Sequence, residues 1–141
     1  MPTAFDHPFL DLARRRVLVL DGAMGTSLMQ YKPADAEWGT APGGKPLVNL
    51  SDALVYTHPE WIREIHRGFL AVGCDGIETN TFNASRIVLD DFGMGDKIDE
   101  INRLNVRLAK EVAAEFSTPD GLDAEVLGRI EALMASFRWA A

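Results

Sequence analysis

A chain of 141 residues with 47% hydrophobic and 25% charged side chains suits one compact, soluble domain and excludes wholesale disorder. Its formal net charge of -7 excludes a general binder of nucleic acid, whose affinity would rest on clustered Lys and Arg; the one basic run, Arg14-Arg15-Arg16, is too short to reverse this. No stretch approaches the roughly 20 consecutive apolar residues that cross a bilayer, and the first residues carry Asp and Pro rather than a leader pattern, so the expectation is a cytoplasmic protein with no membrane partner.

Residues 5–15 predict a short helix that starts at Asp6 or His7 before Pro8 and ends on basic residues facing the negative pole of its dipole. The run Arg16-Val17-Leu18-Val19-Leu20-Asp21 is short, continuous and rich in β-branched residues, the pattern of a parallel strand buried on both faces. Gly22 ends it. Residues 23–31 can form a short helix, and 32–46 concentrate Pro33, Gly39, Pro42, Gly43, Gly44 and Pro46 in a loop. Residues 47–56 read as a turn followed by a few helical residues.

Thr57-His58-Pro59-Glu60 has the spacing of a capping box, with Pro59 suited to a first helical turn. In the helix that follows, Ile62, Ile65, Phe69 and Val72 form a buried stripe opposite Glu60, Arg63, Glu64 and Arg67, and Gly73 supplies the stop. Asp75-Gly76-Ile77-Glu78-Thr79 reads as a second strand, so strand, helix and strand predict a right-handed parallel βαβ unit. A short helix over 84–91 stops at Gly93 and Gly95. Asp96 then caps a long helix with the stripe Ile98, Ile101, Leu104, Leu108 and Val112. Residues 117–121 break it, and 122–139 predict a final amphipathic helix bearing Val126, Ile130, Leu133 and Phe137 on one face.

Ligands of parallel α/β folds collect at the carboxyl ends of the strands, and two polar clusters fall there. The first is Asp21-Gly22-Ala23-Met24-Gly25-Thr26, whose small residues admit close backbone approach and whose Asp21 can take a cation such as an α-ammonium group. The second is Glu78-Thr79-Asn80-Thr81-Phe82-Asn83. Taken singly, each has an ordinary explanation. A Gly-x-x-Gly turn lacking the P-loop Lys and the third Gly of a dinucleotide fingerprint is usually only a turn, and a lone Glu78 serves as readily in a cap or an ion pair. Two such clusters on adjacent parallel strands would converge on one pocket, which packing alone does not require. Cys74 is the single cysteine, which excludes an internal disulfide and a thiolate-rich zinc site and reads as a small buried core residue. His7, His58 and His66 fall on the first helix, a helix start and a partly exposed helix position, away from the strand ends.

These motifs, with Thr57-His58-Pro59-Glu60 between them, resemble the homocysteine S-methyltransferase family over residues 16–119, and within it the homocysteine-binding domain that opens the cobalamin-dependent methionine synthases. The resemblance implies a (β/α)8 TIM barrel that transfers a methyl group to homocysteine to give methionine, with three cysteine thiolates holding a zinc ion that activates the substrate sulfur. It implies that Asp21, Gly22 and Ala23 hold the amino-acid end of homocysteine and that Glu78, Thr79 and Asn80 line the same pocket. The family's zinc cysteines lie in Gly-x-Asn-Cys and Gly-Gly-Cys-Cys segments, neither of which this sequence contains, so no catalytic or metal-ligating residue is assigned. Zinc and cobalamin are accordingly expected of the full-length family and not of this chain alone.

A whole barrel takes on the order of 250 residues. The expectation is therefore a partial α/β barrel: its first two β/α units in residues 1–119, then an unmatched helical tail over 120–141. Such a truncated portion would bind homocysteine weakly or not at all, and would act with a second polypeptide that completes the barrel. The alternatives are a non-catalytic interaction module, for instance a homodimer, and a phosphate-binding fragment using the Gly22 to Thr26 turn.

Overall fold

The computed structural model describes residues 8–117; His7 and the helix expected over 122–139 lie outside the described residues. Helix α1 (Pro8–Arg15) begins on its proline and carries Arg14 and Arg15 in its last turn. The chain then runs extended to Leu20, which forms a parallel bridge with Gly76. Two backbone bonds make the bridge: Asp75 N–H to the Val19 carbonyl at 2.7 Å and Asp21 N–H to the Gly76 carbonyl at 3.1 Å.

The expected parallel sense is present, but the two strands are not: among the described residues the pairing goes no further than this bridge. Nor is the first segment buried on both faces, since Val17 is 84% exposed and Val19 53%. A run of Val and Leu becomes a strand through lateral neighbours, and two short segments bridged to each other leave one side open. Side chains continue the pairing where the ladder stops. The Asp75 carboxylate accepts the Val19 N–H at 2.9 Å and is itself gripped by both prongs of the Arg16 guanidinium, one at 2.8 Å.

Helix α2 (Met24–Met29) follows, burying Leu28. The loop after it is folded onto the core through Trp38, in a 3-10 turn over Asp35–Trp38, and through Ala41 and Leu47. A second 3-10 turn, Ser51–Ala53, leads into α3 (Leu54–Thr57), and α4 (Pro59–Ala71) starts almost at once. The capping box is not formed. Thr57 is the last residue of α3 and so has helical rather than cap geometry, and His58 takes the N-cap position without a side-chain cap bond. His58 stacks on Trp61 at 3.8 Å, and Trp61 on Tyr31 at 4.8 Å, which fixes the α3 to α4 junction by ring contact.

Ile62, Ile65 and Leu70 are buried on α4, but Val72 is 82% exposed. It lies past the helix end, where Gly73 adopts a φ of 97° that favours glycine and turns the chain away. Helix α5 (Arg86–Asp91) ends at Gly93, and a 3-10 turn over Gly95–Lys97 feeds α6 (Ile98–Phe116). Asp96 sits inside that turn and Lys97 occupies the N-cap position, so the expected Asp96 cap is absent too. Helix α6 lays Ile101, Leu108 and Val112 against α4, and Arg63–Glu111 at 2.9 Å and Arg67–Glu115 at 2.7 Å bridge the outer edge of the pair. Each fully buried Ile or Leu of this seam contributes roughly 1.5–3 kcal/mol by burial.

Candidate functional site

The two polar clusters follow the bridged residues Leu20 and Gly76, so the parallel pairing brings them to the same end of the molecule. Between them lies a cavity of about 380 Å³ lined by Asp21, Gly22, Ala23, Glu78, Thr79 and Asn80, together with Met24, Gly25, Thr26, Ser51, Phe82 and Asn83. All six residues singled out from the sequence therefore face one space.

Their local geometry differs. Ala23 has a left-handed backbone (φ 51°), the sharp turn by which the chain leaves the extended segment and enters α2. Such a conformation costs an alanine roughly 1 kcal/mol, a strain held where the chain wraps the cavity. A Cβ added to Gly22 or Gly25 would meet open space, and neither residue has a positive φ, so neither packing nor backbone demands glycine there. What the absent side chains leave is room in the cavity wall.

The Asp21 side chain is only 3% exposed, and its Oδ1 accepts the backbone N–H of Glu78 at 2.7 Å, tying the two clusters to each other. Glu78 itself is exposed at the rim. Thr79 and Asn80 are buried and turn polar groups inward: Thr79 Oγ1 pairs with Thr81 Oγ1 at 2.7 Å, and the Asn80 amide donates to the Ser51 carbonyl at 2.8 Å. These bonds shape the wall and hold the rim residues in place.

Three contributors escaped the sequence reading. Asp52 is fully buried and its Oδ1 accepts the Asn83 N–H at 2.8 Å, fastening the second cluster to the 3-10 turn below it. Burial pushes the Asp52 carboxyl above its ordinary range, against the hydrogen bonds that favour its charge. Asn105 of α6 braces the same turn by donating to the Asp52 carbonyl at 3.2 Å. His66, expected to be partly exposed and remote from the strand ends, is instead fully buried, with its Nδ1 3.7 Å from Asp21 Oδ2. Helical phase already carried that signal, since His66 falls one residue after Ile65 and four after Ile62 on the buried face.

Cys74, partly rather than fully buried, is a poor nucleophile in this setting. Burial pushes its thiol up, and the charges of Asp21 and Asp75 push it further. Among the described residues no three His, Cys, Asp or Glu side chains group as ligands, so the donor set here does not fit the zinc ion that the resemblance implies.

Comparison with known proteins agrees with this pattern of motifs. Over 116 residues, 82% of its length, the chain is 34% identical to the methionine synthase of Mycobacterium tuberculosis and 36% identical to that of Mycobacterium leprae. It spans 9% of the length of each of these relatives. The profile of the homocysteine S-methyltransferase family matches residues 18–137, and the chain belongs to that family.

Proposed function

We propose that this chain forms the opening β/α portion of a (β/α)8 barrel for methyl transfer to homocysteine, and that its cavity holds the amino-acid end of that substrate. The carrying observation is the meeting of residues 21–26 and 78–83 around one space, tied by the Asp21 to Glu78 bond. Negative charge from Glu78 at the rim, with the Asp21 carboxylate buried beneath it, suits an α-ammonium group, and the side-chain-free wall at Gly22 and Gly25 lets a small amino acid lie against backbone. In this reading the family-matched residues 18–137 belong to the barrel, and the sulfur end of homocysteine points away from the described residues. Zinc and cobalamin belong, in this reading, to the full-length family.

Calorimetric titration of the purified chain with L-homocysteine tests the reading. Weak heat, at roughly millimolar Kd, is expected to be the same with and without zinc, and L-methionine, which shares the amino-acid end, competes. Binding that requires zinc, or no binding of either amino acid, contradicts it.

A second reading rests on the open side of the bridged segments, where Val17 and Val19 face outward. A second polypeptide completing the barrel, or a second copy of the chain, would cover them. Light scattering of the isolated chain separates the cases, since a stable homodimer favours the interaction module.

A further inference from the structure

His66 is fully buried on α4, and among the described residues neither of its ring nitrogens has a hydrogen-bond partner. A buried, unpartnered imidazole is unfavourable, so its surroundings should show what relieves it. Nδ1 faces Asp21 Oδ2 at 3.7 Å, and the Asp21 side chain is itself almost wholly buried. That separation is too long for a hydrogen bond, but a shift of less than about 1 Å brings it into range. A proton on Nδ1 has the Asp21 carboxylate as an acceptor, whereas among the described residues Nε2 has none.

We infer that His66 is a positioning residue that carries a proton on Nδ1, and that its ring orients the Asp21 carboxylate so that the other oxygen stays on the Glu78 N–H at the cavity rim. His66 then reaches the ligand only through Asp21, and the inference rests on the homocysteine reading for the identity of that ligand. Three segments are joined in one line: α4 through His66, the first bridged segment through Asp21, and the second cluster through Glu78.

The test begins on the ligand-free, full-length chain labelled with ¹⁵N. Long-range ¹H–¹⁵N correlation of the imidazoles, with His66→Asn identifying the signal, is expected to show a proton on His66 Nδ1. A His66 ring with no proton on Nδ1 overturns the inference. In the second arm, His66→Leu, which keeps bulk but has no donor, is expected to speed exchange of the Glu78 amide by about tenfold or more while the α6 amides hold. His66→Asn, whose amide nitrogen overlies Nδ1, restores protection to within about threefold. Unchanged Glu78 exchange in His66→Leu, or rescue by His66→Gln in place of His66→Asn, overturns it. Adding L-homocysteine last separates the two readings, because absent shifts at Ala23 and Glu78 would remove the ligand assignment while leaving the Nδ1 proton result intact.

Discussion

The Asp21 carboxylate accepts the Glu78 backbone N–H at 2.7 Å across 57 residues of sequence. One oxygen thereby joins the ends of two extended segments that share only a single bridge. Asp21→Ala is expected to lower stability by about 1–3 kcal/mol, because a charge-assisted bond is lost and His66 is left facing nothing. Asp21→Asn keeps an acceptor for Glu78 and retains most of that stability, while removing the buried negative charge beneath the cavity rim. Urea denaturation of both variants, beside an amino-acid titration, separates the structural share from the binding share.

Gly25 lies in α2 with open space where a Cβ would stand. Gly25→Ala should raise helix stability by up to about 1 kcal/mol, yet its methyl group enters the cavity wall. A higher thermal midpoint with weaker homocysteine binding is the expected outcome. Equal binding in variant and parent would show that the wall is not a contact surface.

Asp75 is held below the ordinary carboxylate range, first by its hydrogen bond from Arg16 and then by that from the Val19 N–H. Its folded-state value lies under the unfolded one of about 3.9, so its stabilisation is complete above that pH and disappears as pH falls through the depressed value. Asp75→Asn should therefore melt below the parent at pH 7, and the gap should close progressively below about pH 4. A gap that persists unchanged into strong acid contradicts the ion-pair origin.

Asp52 shows the opposite sign. Burial raises its carboxyl, so ionising it opposes folding, and its contribution is greatest at low pH and lost as pH rises through the raised value. Asp52→Asn retains an oxygen for the Asn83 N–H without the buried charge and should be tolerated within about 1 kcal/mol at pH 7. Asp52→Leu leaves that N–H unpartnered and should cost about 1–3 kcal/mol. Chemical denaturation at pH 7 checks the order of the two variants.

What could be read from the sequence was whatever local chemistry determines. The α4 stripe of Ile62 and Ile65, the Gly73 stop and the α6 stripe of Ile101, Leu108 and Val112 follow from helical period, and the structure keeps them. The clusters at 21–26 and 78–83 were legible because polar and small residues directly follow apolar extended runs. Strand formation was not, because the fate of Val17 and Val19 depends on neighbours that a local pattern does not specify. Thr57 and Asp96 matched capping patterns, but α3 and the 3-10 turn over Gly95–Lys97 had already claimed them. Asp52 and His66 act through partners 31 and 45 positions away, and such pairings become visible only in three dimensions. The local hints were a carboxylate inside the largely apolar run Leu50 to Val55 and the phase of His66 on the buried face of α4.

The most direct test of the central claim is an amide map of the ¹⁵N-labelled chain during titration with L-homocysteine. The account predicts shifts confined to the cavity wall, at Ala23, Gly25, Glu78, Thr79 and Asn80. Shifts centred instead on the groove between α2 and α4, at Tyr31 and Phe69, or no shifts at saturating amino acid, would contradict it.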